Sequence, residues 1–194
     1  MGQMITGEID RKQAKKLLEL ARQTIYAKLH DQALAIEQPE DDCFNENAAT
    51  FVTLKIAGQL RGCIGSLSPT VSLWESVKTN ALSSAFHDSR FSPLTADELK
   101  DVHIDISILT SPVDLVYVDA EDLITLLRQG VDGVILQYGS RGATFLPQVW
   151  KQLPTAELFL GHLCLKAGLS ENCWREDHPT IQTYTVQSFA EEEV

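Results

Sequence analysis

The sequence predicts an α+β protein with a mainly antiparallel sheet flanked by helices, its two hairpin-helix units suggesting two lobes with a groove between them as the default ligand site. Three observations predict it. Runs rich in β-branched and aromatic residues come in close pairs joined by glycine-bearing turns, which favours hairpins over parallel crossovers. Between them lie stretches whose apolar residues recur every three or four positions, as on one face of a helix. The composition, 44% hydrophobic and 22% charged over 194 residues, is that of a globular chain, and a chain of this length can bury about 70% of its open surface without staples.

Each element has its own reason. Over residues 10–29, Ala14, Leu17, Leu18, Ala21, Ile25 and Leu29 fall on one helical face, and Thr6 or Asp10 offers an oxygen to the orphan N–H groups of the first turn. Residues 37–47 are acidic, carry Pro39 and read as a loop. Residues 50–56 and 60–64, separated by Ala57-Gly58-Gln59, read as a hairpin. A helix follows over 72–87 through Leu73, Val77, Ala81, Leu82, Ala85 and Phe86, with Ser68, Thr70 or Ser72 as its cap. Thr95 to Leu99 form a short capped turn. Ile104, Ile106 and Ile108 alternate with His103, Asp105 and Ser107, a half-buried strand. Residues 121–129 predict a short helix stopped by Gly130, and residues 133–138 and 143–146 a second hairpin about Gly139-Ser140-Arg141-Gly142. Thr155 caps a last helix that stops at Gly168, and residues 180–189 add one strand.

Charge and motifs exclude several function classes. Sixteen basic against 27 acidic residues give a net charge of −11, a field that repels phosphates, so no nucleic-acid partner is expected. The acidic runs at Glu40, Asp41 and Asp42, at Asp119, Glu121 and Asp122, and at Glu191, Glu192 and Glu193 read as solvated surface, the last as an acidic tail over 189–194. No apolar run approaches the ~18 residues of a membrane span, and Met1-Gly2-Gln3-Met4-Ile5 lacks a basic stretch leading into an apolar one, so no membrane partner is expected and a cytoplasmic location fits. Cys43, Cys63, Cys164 and Cys173 contain no CxxC pair and are expected as reduced thiols. There is no HExxH, no Cys/His quartet, no GxSxG elbow and no dinucleotide-binding glycine pattern, so no metal site is expected and no cofactor is indicated.

The densest chemical signal is Leu60-Arg61-Gly62-Cys63-Ile64-Gly65. Glycines let a backbone approach a ligand, and a neighbouring guanidinium favours a thiolate, which makes Cys63 a candidate nucleophile. A free cysteine is also a common apolar filler, and Arg61, on the same strand face as Cys63, could instead bind a carboxylate. Asp88, after the second helix, could pair with Arg90 or Arg61, either to orient a base or to lock the helix end. His162 precedes Cys164 by two residues on the last helix. Gly139-Ser140-Arg141-Gly142 lacks the Lys-Ser/Thr ending of a nucleotide loop and reads as a turn.

These segments, taken together with Ala85-Phe86-His87-Asp88-Ser89-Arg90-Phe91, Thr144-Phe145-Leu146-Pro147-Gln148-Val149-Trp150 and His162-Leu163-Cys164-Leu165-Lys166-Ala167-Gly168-Leu169, resemble the AMMECR family over about residues 10–185. The resemblance implies one AMMECR domain over 8–188, an α+β fold with a larger lobe and a smaller lobe and a groove between them. It also implies a link to component A of the AmmeMemoRadiSam set, with a Memo-type protein and a radical S-adenosylmethionine protein as partners in a modification or metabolic pathway. Many relatives carry His where this chain has Asp132. The candidate site is Cys63 as nucleophile with Arg61 and Asp88, and Gly62, Gly65, Arg90, Arg141 and His162 as binding residues. Two functions compete: an enzyme or enzyme subunit using Cys63, or a non-catalytic binding or adaptor module whose inter-lobe groove holds a small molecule or a partner protein.

Overall fold

A computed structural model describes residues 8–193. The chain forms two compact units, one of residues up to Thr110 together with those from Gln187 onward, the other Ser111–Val186.

The first unit begins with α1 (Arg11–Leu29), whose cap is Asp10: its carboxylate accepts from the Gln13 amide while the Gln13 side chain accepts from the Asp10 amide. Two orphan donors are thereby satisfied at once. Thr6, the other cap candidate, lies outside the described residues. Strands β1 (Ala49–Ile56) and β2 (Gln59–Gly65) form the first hairpin. Ile56 pairs with Gln59, so the turn is only Ala57-Gly58, both at positive φ (49° and 75°) as a tight hairpin turn requires. Helix α2 (Leu73–Phe86) is capped by Ser72, and α3 (Ala96–Leu99) by a Thr95–Glu98 capping box. Strand β3 (Val102–Leu109) pairs antiparallel with β1, giving a sheet in the order β2-β1-β3-β8, with β8 at Val186–Ala190.

Alternation sets the two faces of this sheet. Val52, Leu54, Ile104, Ile106 and Ile108 join Leu17, Leu20, Ile25, Trp74 and Val77 in one core. Phe51, Thr53, Lys55, Arg61, Cys63, Asp105 and Ser107 occupy the opposite face. The acidic stretch expected as a plain loop contains a 3-10 turn, Asp42–Phe44, which buries Phe44 edge-on against Trp74, ring centres 5.5 Å apart.

The second unit comprises β4 (Val113–Asp114), α4 (Ala120–Leu126), β5 (Gly133–Tyr138), β6 (Arg141–Phe145), a 3-10 turn at Pro147–Lys151, α5 (Ala156–Lys166), α6 (Cys173–Glu176) and β7 (Thr180–Tyr184). Its sheet runs β4-β7-β5-β6 in antiparallel pairs. Leu123, Val134, Leu136, Leu160, Leu163 and Ile181 pack with Trp150 and Phe159, whose rings stack at 3.9 Å.

Several expectations need correction. The single strand expected at 180–189 is two strands, β7 and β8, belonging to different sheets. Helix α4 stops at Leu126 rather than continuing to Gly130, because the Asp132 carboxylate takes the Arg128 amide at 2.8 Å and turns the chain first. The second hairpin turns on Gly139-Ser140 alone, since Tyr138 pairs with Arg141. Cys164 and Cys173, expected as free thiols, form a disulfide in the core of the second unit. Of the glutamates expected on a solvated tail, Glu191 is held: it accepts from Arg22 Nε at 2.5 Å, Arg22 Nη2 at 2.6 Å and the Ile104 amide at 3.0 Å. Among the described residues no helix is long and apolar enough to cross a membrane, and no cluster of three metal-ligating side chains occurs.

Candidate functional site

The site centres on β2, an edge strand. Gly62 faces α2, where a Cβ would fall on the Ser84 carbonyl, and Gly65 lies under the Phe51 ring. Both glycines therefore meet close approaches that no side chain would survive. Between them Cys63 turns to the face away from α2, the face of Phe51 and Thr53, and is half-buried with no disulfide partner. Its sulfur accepts a hydrogen bond from Thr53 Oγ1 at 3.2 Å across the ladder, and Thr53 is also opposite Asp105 on β3. Lys55, two residues along the same face, pairs with Asp105. The outer face of the sheet is thus a polar row running from the thiol to a lysine and a carboxylate.

The backbone of Cys63 points away from β1 and is grasped by one ion pair. Its N–H donates to Asp88 Oδ2 at 2.9 Å, and its carbonyl accepts from Arg90 Nη2 at 3.3 Å. Arg90 in turn donates to both oxygens of Asp88, from Nε at 2.9 Å and from Nη2 at 2.7 Å. Asp88 is buried; the bonds from Arg90, reinforced by the Cys63 and Arg90 amides, hold its carboxyl well below the usual carboxylate range. The pair acts as a surrogate neighbour for the edge strand, so the loop after α2 fixes the backbone of the cysteine.

Arg61 does not approach Cys63 as an activating cation. Its Nε and Nη2 donate to the two oxygens of Glu98 at 2.8 and 3.1 Å, and Nη2 also donates to the Ser92 carbonyl at 3.0 Å. Arg61 and the Thr95 donors lower the Glu98 pKa to about 2. The alternative in which Arg61 binds a carboxylate is the one the geometry realises, and of the two partners open to Asp88 it takes Arg90. The Phe91 ring lies near both guanidiniums, 5.8 Å from Arg61 and 5.5 Å from Arg90.

The structure brings Arg61, Gly62, Cys63, Gly65, Asp88 and Arg90 together in the first unit. Arg141 and His162 belong to the second: Arg141, on β6, donates to the Gly168 carbonyl at 2.6 Å, and His162 is exposed on α5. Asp132 is buried and engaged by Arg128 Nη2 at 2.6 Å, while its carbonyl accepts from Trp150 Nε1 at 2.7 Å. Asp132 is thus tied into the local fold by both its side chain and its backbone.

Sequence reasoning missed a buried polar stripe on α2. Ser76, Asn80 and Ser84, four residues apart, face the hairpin and not solvent. Asn80 Nδ2 donates to the Thr50 carbonyl at 3.0 Å and to Thr50 Oγ1 at 2.9 Å, and Ser76 Oγ lies 2.7 Å from Thr50 Oγ1. Ser84 enters the ladder itself: its hydroxyl accepts from the Ile64 amide at 2.8 Å and donates to the Val52 carbonyl at 2.7 Å. Val52 and Ile64 are register partners, so a helix side chain bridges the strands beside Cys63. The four-residue recurrence of small polar residues among Leu73, Val77, Ala81 and Ala85 was the available signal.

Fold and site together define a class: a two-unit α+β protein in which an edge strand presents a half-buried thiol between two close-packed glycines. The AMMECR1 family model matches residues 18–189, and the chain belongs to the AMMECR1 family. A protein of Methanothermobacter thermautotrophicus is 34% identical over 187 residues, which span 95% of this chain and 97% of that one. A protein of Thermoplasma volcanium is 37% identical over 179 residues, spanning 91% and 88%. The crystal structure of protein PH0010 from Pyrococcus horikoshii superposes with a TM-score of 0.79 at 31% identity, covering 95% of this chain and 94% of that one.

Proposed function

We propose that the protein is an enzyme or enzyme subunit whose working group is the Cys63 thiol, acting in a modification or metabolic pathway with Memo-type and radical S-adenosylmethionine partners. One observation carries the reading: the Cys63 sulfur is half-buried, accepts from the Thr53 hydroxyl, and rides on a backbone fixed by Asp88 and Arg90. A thiolate gains from such a donor, and a fixed backbone spares the cost of ordering the nucleophile. Arg61 and Arg90 are positioning residues in this reading, because each is committed to a carboxylate.

The other free cysteine is an internal control. Burial, then the Asp41 contact, pushes the Cys43 thiol up to about 12. Iodoacetamide at neutral pH, followed by peptide mapping, is expected to modify Cys63 at least about tenfold faster than Cys43, since rate follows the thiolate fraction and access. Equal or slower labelling of Cys63 removes the nucleophile. A second reading, a binding or adaptor module, is favoured by the same commitment of both arginines to carboxylates. It expects Cys63→Ser to cost only about 1 kcal/mol of packing, with partner capture intact.

A further inference from the structure

The hydrogen bonds around Cys63 bear on which electrophile its thiol can attack. A thiolate that attacks an acyl carbon turns the carbonyl oxygen into an oxyanion, and catalysis depends on donors fixed where that charge appears. Acyl-transfer sites draw such donors from the amide of the nucleophile itself or of the residue after it. Here both amides are taken. That of Cys63 donates to Asp88 Oδ2 at 2.9 Å, and that of Ile64 donates to Ser84 Oγ at 2.8 Å. Both acceptors are buried, the Asp88 side chain 4% exposed and Ser84 1%. The acceptor on the Cys63 amide is moreover an anion, occupying the place an oxyanion would need.

The cations nearby are committed as well: Arg61 is paired with Glu98, Arg90 with Asp88 and Lys55 with Asp105. The hydrogen bond that reaches the reactive atom comes from the Thr53 hydroxyl, on the sulfur itself at 3.2 Å. In thiol–disulfide exchange the negative charge stays on sulfur from attack to departure, and no oxyanion forms. A donor on Sγ then serves twice, holding the thiolate before attack and receiving it again when a mixed disulfide is cleaved.

We infer that Cys63, if it is the working thiol proposed above, takes disulfides as its electrophiles in preference to acyl groups. The Cys63 thiolate attacks one sulfur of the disulfide. A new S–S bond forms as the old one breaks, and the departing thiolate leaves with the bonding pair and accepts the proton that Cys63 released. A second thiol then clears the mixed disulfide by the same step. Cys164 and Cys173 are bonded to each other, and Cys43 packs against the core that holds α1 and α2, whereas Cys63 faces away from α2. The second thiol is therefore external, and the exchange runs on a single cysteine of this chain.

The test uses the full chain and two small neutral probes, bis(2-hydroxyethyl) disulfide and phenyl thioacetate. Mass spectrometry of the Cys63 peptide gives the rate of mixed-disulfide formation with the first and of acetyl transfer with the second. Each rate is divided by that of N-acetylcysteine amide at the same pH, so that the thiolate fraction cancels between the probes. The relative rate with the disulfide is expected to exceed that with the thioester at least about tenfold, given what one oxyanion donor is worth. In Asp88→Asn, which keeps an acceptor oxygen and removes its charge, the preference should narrow at least about threefold with the circular dichroism unchanged. A smaller preference in the parent, or an undiminished one in the folded variant, overturns the inference while leaving the nucleophile in place. Cys63 that reacts with neither probe overturns both. Should the variant not fold, the ratio in the parent chain decides alone.

Discussion

Removing the Ser84 hydroxyl tests whether the β1–β2 ladder is held open or merely decorated. In Ser84→Ala the Ile64 amide loses its acceptor and the Val52 carbonyl loses its donor, at a position where Ser84 is 1% exposed. A buried polar group left unpaired costs about 1–3 kcal/mol, so the two together predict a loss of about 2–6 kcal/mol. At tenfold per 1.4 kcal/mol, amide exchange at Ile64 should accelerate by at least about 30-fold. Urea unfolding followed by circular dichroism gives the global term, and exchange measured by NMR gives the local one. Ser83→Ala, one position along the same helix and half-buried without a side-chain hydrogen bond, is the control and should stay within about 0.5 kcal/mol of the parent. If Ser84→Ala also stays within that margin, the strands have closed to form a direct Val52–Ile64 bond, and the bridge is not what sets their separation.

Three further outcomes are expected. Gly62→Ala places a methyl on the Ser84 backbone carbonyl; helix α2 must move, at about 1–3 kcal/mol, and an unchanged melting temperature would contradict the packing. Glu98 and Asp88 both have folded pKa values depressed below their unfolded ones, Glu98 from 4.5 to about 2. Their stabilisation is therefore full above about pH 4.5 and drains away as pH falls through the folded values. Melting temperature against pH should drop in that window, and drop less steeply in Glu98→Gln. With one disulfide among four cysteines, unfolded but unreduced chain should titrate two thiols, not four. Reduction should cost about 2.6 kcal/mol by loop entropy for a separation of nine residues, checked by the shift in urea midpoint.

Legibility followed the range of the interactions. Helix α1, helix α2 and both hairpins could be read because their signals are local: a three-to-four-residue apolar period, a capping oxygen, a glycine in a turn. Asp10, Ser72, Thr95 and Thr155 all cap helices as expected. Strand β4 has two residues, too few for a period. The division between Tyr184 and Val186 gives no local sign, since both halves alternate and differ only in which distant strand receives them. At the site, the glycine-flanked cysteine stood out, and so did Asp88 and Arg90, which lie two residues apart. The capture of Arg61 by Glu98 spans 37 residues and turns on how a loop wraps an edge strand. Cys164 and Cys173 are nine residues apart with no CxxC spacing, and the turn after α5 and the short α6 bring them together.

The assignment of Gln187 onward to the first unit has a consequence for synthesis. On the ribosome, every residue of Ser111–Val186 is made before β8 exists. The inserted unit has its full complement of strands first, while the earlier one waits with β3 as a bare margin, lacking Phe189 in its interior and the Glu191 anchor for Arg22. Units that fold as they emerge would then finish in the order inner before outer.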